Sequence, residues 1–186
     1  ARELSGPHPE IAQQAADKVL AVCRNEAIRN RALMLRAKPR SGPFIREWLV
    51  CGPYSKRGAF GAQALFALPF GPEVPGETVN WQAIPPSDSV NLAAFFPGKD
   101  DSAAYMRSQI TSPRECDALL LMASDDGIKA WLNGAVVHSN NVDRGAVVDQ
   151  DVAVVKLREG ANELMLKITQ GGGGWMGCAP PGANRR

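Results

Sequence analysis

Ser124-Asp125-Asp126-Gly127-Ile128-Lys129-Ala130-Trp131-Leu132-Asn133-Gly134-Ala135-Val136-Val137 is the stretch whose reading decides the fold. Asp-Gly and Asn-Gly tolerate the positive φ that tight turns demand, so the two dipeptides bracket a strand entered by one turn and left by another. Alternation assigns Ile128, Ala130 and Leu132 to a core and Lys129, Trp131 and Asn133 to the opposite face. A second hairpin follows, its turn built on Glu159-Gly160-Ala161-Asn162 between Lys156-Leu157 and Leu164-Met165-Leu166.

Working outward, short runs rich in Val, Leu, Phe, Trp and Tyr are punctuated by Gly, Pro, Asn and Asp. They cover roughly 46–51, 62–68, 78–84, 90–95, 103–111, 117–124, 127–138, 147–157 and 161–169. About nine strands without intervening helices predict an antiparallel sandwich, not a parallel sheet. Residues 1–40 differ. Ile11, Ala15, Val19 and Val22 form a helical stripe behind Pro9, which suits the first helical position; Asn25 reads as the cap of a second stripe through Ile28, Ala32 and Leu35, stopped by Pro39. The expectation is a mainly β chain: an antiparallel jelly-roll β-sandwich over 41–186 behind a short N-terminal helical hairpin over 1–40.

At 186 residues, with 45% hydrophobic and 22% charged side chains, the chain can bury a sizeable core but not two large domains. The formal charge of +2 is uneven, with +5 in residues 1–46 and −3 in the remainder. Those basic residues are interleaved with Ala, Leu and Ile at helical spacing, and residues 1–40 hold no Phe, Trp or Tyr to stack a base. A solvated helix face is expected rather than a nucleic-acid arm. No apolar run approaches the ~18–20 residues that cross a bilayer, so no membrane insertion is expected. Cys23, Cys51, Cys116 and Cys178 lie far apart without a C-x-x-C pair, which argues against zinc and leaves thiols and disulfides both open. The chain begins Ala1-Arg2-Glu3-Leu4, as a module excised from a longer protein would.

Four motifs in order carry a resemblance: Trp48-Leu49-Val50-Cys51-Gly52-Pro53-Tyr54, Ala104-Tyr105-Met106-Arg107, the Ser124–Gly134 stretch, and Leu-x-x-Gly-x-Asn-x-Leu from Leu157 to Leu164. Over about residues 45–177 the chain resembles the galactose-binding-like jelly-roll domains appended to bacterial glycoside hydrolases and to large proteins of polysaccharide-degrading bacteria. The Asp-Asp-Gly strand is also similar to sandwich domains of the anthrax protective-antigen type. The resemblance implies a non-catalytic carbohydrate-binding accessory module or, alternatively, a structural spacer, in a secreted or cell-envelope protein whose adjacent domains would be its partners. In the protective-antigen-like sugar binders, adjacent aspartates coordinate calcium and sugar hydroxyls; Asp125 and Asp126 match that pair and imply a possible structural calcium. The later calcium loop of those binders has no counterpart in this sequence.

Sugar sites pair an indole, which stacks on the C–H face of a pyranose, with planar hydroxyl partners such as Asp, Asn and Arg. Trp175 follows Gly171-Gly172-Gly173-Gly174, so a loop could present it to a ligand, or it closes the last strand. Trp131 has two readings, packing against the helices or binding. Trp48, between apolar neighbours, is expected in the core, and Trp81 in a strand. Asp125-Asp126 either initiates a turn or holds calcium, and Asn133 is either a turn residue or a sugar ligand. Gly172-x-Gly174-x-x-Gly177 matches a dinucleotide fingerprint, but Ala179-Pro180-Pro181-Gly182 precludes the helix that motif needs. His8 and His138 have no nucleophile pattern beside them, so no catalytic constellation is expected.

Overall fold

The computed structural model describes residues 9–25, 28–29, 32 and 45–179. The chain divides into two compact units, Ala1–Ser41 and Gly42–Arg186. In the first, α1 spans Pro9–Val22. Asn25 is the expected cap: its side chain accepts the Ile28 N–H at 3.1 Å while its carbonyl accepts that of Arg29 at 3.0 Å. Arg29 then turns back on α1 and donates to the carbonyls of Leu20 at 2.7 Å and Cys23 at 3.1 Å, groups that the end of a helix leaves without partners. Leu35 and Pro39 lie outside the described residues.

The second unit is the expected antiparallel sandwich. Its strands are β1 (Leu49–Tyr54), β2 (Gln82–Ala83), β3 (Val90–Asn91), β4 (Ser102–Ser112), β5 (Cys116–Asp125), β6 (Ile128–Leu132), β7 (Ala135–Asn140), β8 (Asp151–Leu157), β9 (Gly160–Gln170) and β10 (Met176–Cys178). One sheet has the order β2-β1-β4-β9-β6-β7 and the other β3-β10-β5-β8. Asn133 and Gly134, with φ of 52° and 82°, make the two-residue β6–β7 hairpin that their sequence demands. The Asp125-Asp126-Gly127 turn does something else. It passes the chain from β5 in one sheet to β6 in the other, a corner and not a hairpin.

Ile128, Ala130 and Leu132 face inward as their alternation predicts and pack with Met106, Leu166 and Ile168 against Leu120, Met122 and Val155 of the facing sheet. Two strand expectations change, and one strand lies outside the expected ranges. Ala62–Phe66 is a helix, α2: Ala, Gln and Leu favour helix, and Leu65 and Phe66 still bury their side chains. Residues 90–95 divide, because Asn91 accepts the Ala94 N–H at 3.0 Å and caps a helical turn, α3 (Leu92–Phe95). Strand β10 shows no run of β-formers, since Gly177 is its centre. A Cβ at that position would lie 2.9 Å from Met106 Sδ and 3.2 Å from Ile168, so the glycine allows the two sheets to meet.

All four cysteines are thiols, not disulfides. Among the described residues no helix is long and apolar enough to cross a membrane.

Candidate functional site

The outer face of the six-stranded sheet carries the chemistry. Register across β1, β4, β9 and β6 aligns one row, Cys51, Tyr105, Lys167 and Lys129, and a second row, Leu49, Arg107, Met165 and Trp131. The connection from β1 to β2 lies over this face. Its turn at Gly71–Glu73 places Glu73 against the first row, where Glu73 Oε1 accepts from Tyr105 at 2.5 Å and from Lys167 Nζ at 2.8 Å. Lys167 also donates to the carbonyls of Phe66 and Leu68, and its side chain is wholly withdrawn from solvent. Burial, opposed by the Glu73 hydrogen bond, pulls the Lys167 ammonium below its ordinary pKa; burial and Glu73 push the Tyr105 phenol up. This polar knot fixes the covering segment to the sheet.

Beyond the knot the covering segment leaves a groove. Arg107 lies 4.4 Å over the half-buried ring of Trp81 and 3.8 Å from the Glu163 carboxylate. Toward β6 the groove is a pocket of about 580 Å³ bordered by Glu73, Glu77, Trp81 and Trp131; toward β2 it is a pocket of about 730 Å³ bordered by Trp48, Ala83, Ile84 and Gln109. Arg107 and Glu163 line both. Arg107 entered the sequence reading only as a motif residue. The signal that could have found it is its place three residues past Ala104, on the polar side of a long alternating strand.

The residues singled out in the sequence are scattered by the fold. Trp175 is corrected: its indole is 1% exposed, donates Nε1–H to the Ile168 carbonyl at 3.3 Å and packs 5.7 Å from Phe96, so it closes the core and offers no ring face to a ligand. Trp131 is 9% exposed and packs with Cys51 and Tyr105, with Lys129 4.9 Å from its ring, and it borders the groove. Asn133 spends its side chain on structure, donating to Asn162 Oδ1 at 2.9 Å and accepting the Glu163 N–H at 3.0 Å.

Asp125 and Asp126 lie together at the sheet-crossing corner. Both oxygens of Asp126 accept backbone N–H groups, Oδ1 from Arg144 at 2.8 Å and Oδ2 from Gly171 at 3.0 Å, which ties the loop after β7 and the glycine run to the corner. Burial, with the charges of Asp126 and Asp143, holds the Asp125 carboxyl above the ordinary range. Calcium needs ~6–8 converging oxygens. Among the described residues no three His, Cys, Asp or Glu side chains converge on such a position, and each oxygen of Asp126 already accepts a backbone N–H.

Nearby, His138 Nε2 stands 3.1 Å from Asp151 Oδ1, Asn140 donates to the same oxygen at 2.9 Å, and Arg144 pairs with Asp151 Oδ2. Arg144 also donates to Ser124 Oγ at 3.0 Å, which completes a buried network holding loop to corner. His8 lies outside the described residues.

No protein-family model matches this chain, and no curated protein matches it in sequence. Among solved structures it is similar to the β-glucosidase from Kluyveromyces marxianus in complex with glucose, at 13% identity and a TM-score of 0.50 over 75% of this chain and 16% of that one. Two further likenesses are the Ruminococcus gnavus β-glucuronidase, at 14% identity and 0.42 over 68% and 21%, and a GH2 β-galacturonidase from Eisenbergiella tayi bound to glycerol, at 10% and 0.44 over 76% and 24%. The chain thus spans under a quarter of each of these chains. At such identities the likeness is one of fold: a β-sandwich of the kind that glycoside hydrolases carry as a domain.

Proposed function

We propose that the sandwich is a non-catalytic carbohydrate-binding module of galactose-binding-like type within a larger secreted or cell-envelope protein, and that its glycan lies in the groove on the outer face of the six-stranded sheet. One observation carries this reading: the Arg107 guanidinium over the Trp81 indole, beside the Glu163 carboxylate, in an open groove. An indole offers apolar surface to sugar C–H groups, while a guanidinium fork and a carboxylate present donors and acceptors to adjacent hydroxyls. The sandwich fold shared with glycosidase structures agrees with it. That the module is non-catalytic is part of the proposal; in its support, His138 and Asp151 are engaged with each other and with Arg144 and Asn140 in a network that joins loop to corner.

The test is affinity electrophoresis of the full chain through plant and algal polysaccharides, followed by calorimetry on any that retard it. Wild-type protein is expected to be retarded by at least one, and Arg107→Ala to lose most of that retardation while its melting temperature stays close to wild type. A structural spacer is the second reading, favoured by the burial of Trp48, Trp131 and Trp175. An entirely negative panel would select it.

A further inference from the structure

The two pockets that flank Arg107 adjoin across shared lining residues, as the two halves of a cleft would. They share Arg107 and Glu163, whose charged groups stand 3.8 Å apart, with side chains 34% and 58% exposed, so a ligand can part or bridge them at little cost. Together they run from Ala83 on β2, past Leu49 and Arg107, to Met165 and Trp131, following the strand order β2-β1-β4-β9-β6. At ~4.8 Å between neighbouring strands, those four steps come to roughly 19 Å. That is the length of a short oligosaccharide, not of one ring.

The charge of the lining selects among glycans. Glu47, Glu77 and Glu163 border the cleft with Arg107 as the cation among its lining residues; Glu73 borders it too, but its charge is met by two lysines. Lys129 and Lys167 are both turned to Glu73. A polyuronate would bring carboxylates into a lining that already holds an excess of them, whereas neutral hydroxyls find acceptors in the acids and a donor fork in Arg107.

Resting on the carbohydrate reading above, we infer that this module binds a neutral glycan by an internal segment laid across the strands, with Arg107 and Glu163 as the shared contact of two subsites. Neither end of the chain is required.

The experiment uses gluco-, xylo- and manno-oligosaccharides, from the monosaccharide to the hexasaccharide, titrated into the full chain. Affinity is expected to rise with length by about tenfold or more between the disaccharide and the hexasaccharide, and capping the reducing end as a methyl glycoside should leave it unchanged. Ala83→Trp, on an exposed edge strand, should fill the β2-side subsite and lower hexasaccharide affinity toward that of the disaccharide. Oligogalacturonates should bind more weakly than neutral chains of the same length. A flat length series, loss of binding on capping, or preference for the uronate would overturn the internal-segment inference while leaving carbohydrate binding in place. If no glycan of the polysaccharide panel or of these series binds, the carbohydrate reading falls and this inference falls with it.

Discussion

Asn133 and Asn162 hold the two hairpin turns of the sandwich to each other: Asn133 Nδ2 donates to Asn162 Oδ1 at 2.9 Å, and Asn133 Oδ1 accepts the backbone N–H of Glu163 at 3.0 Å. Asn162 is fully buried and also donates to the carbonyls of Arg158 at 2.9 Å and Gly160 at 3.2 Å. Removing such a side chain leaves several buried groups without partners, each costing ~1–3 kcal/mol. Asn162→Ala is therefore expected to destabilise by about 3 kcal/mol in urea unfolding. Asn133→Gly keeps the turn conformation but loses both side-chain bonds and should cost about 1 kcal/mol. Equal effects from the two would mean that the turn, not the bridge, supplies the stability.

A buried ion pair makes a second, asymmetric prediction. Among the described residues Glu73 is the anion that meets Lys167, whereas Glu73 also meets Lys129 at 3.6 Å and the Tyr105 hydroxyl at 2.5 Å. Stranding one charge of such a pair costs ~3–5 kcal/mol when nothing else compensates it. Glu73→Gln should therefore destabilise by about 3 kcal/mol and Lys167→Met by less. The double variant should recover part of the loss, because neither charge then stays buried alone. A double variant as unstable as the sum of the two singles would refute the coupling.

Local chemistry explains which parts of this structure were legible in the sequence. Ile128, Ala130 and Leu132 announced their face because period-2 alternation is a property of a single strand. Asn133-Gly134 announced its hairpin because only certain residues tolerate its backbone. The Asp-Asp-Gly corner and the knot at Glu73 depend on partners far along the chain: Gly171 lies 45 residues from Asp126, and Lys167 lies 94 from Glu73. Trp175 looked like a loop residue because glycines precede it, yet those glycines lead into β10 and the core. The groove was illegible for the same reason. Arg107 and Trp81 meet through strand register and a connection whose path no local pattern gives.

Asp126 makes a third prediction. Its two oxygens each accept a backbone N–H from a different loop, so its side chain seals the corner. Chelator and added calcium should both leave the melting temperature unchanged, because a ligand of the native state would raise it by mass action. Asp126→Ala should lower it substantially, with a loss of about 2–3 kcal/mol of unfolding free energy for two orphaned donors. A rise in melting temperature with calcium that Asp126→Ala or Asp125→Ala abolishes would reverse this assignment.

The last prediction concerns acid. Asp151 is 1% exposed, and burial by itself would raise its pKa; hydrogen bonds from His138, Arg144 and Asn140 outweigh that and lower it from 3.8 to about 2. A carboxyl whose pKa is lower in the folded state stabilises the fold fully above its unfolded value, and that contribution is lost as pH falls through the folded one. The window therefore runs from about pH 4 down to about pH 2, and the shift corresponds to about 2 kcal/mol at ~1.4 kcal/mol per unit. Asp125 and Asp149, both raised chiefly by burial, act with the opposite sign and offset part of the loss. Unfolding free energy should thus decline as pH falls through this window. Asp151→Asn should be less stable at neutral pH, since His138 and Arg144 lose their anion, and should show a shallower decline in acid. A variant whose acid profile parallels that of the wild type would show that the buried network at Asp151 does not govern acid stability.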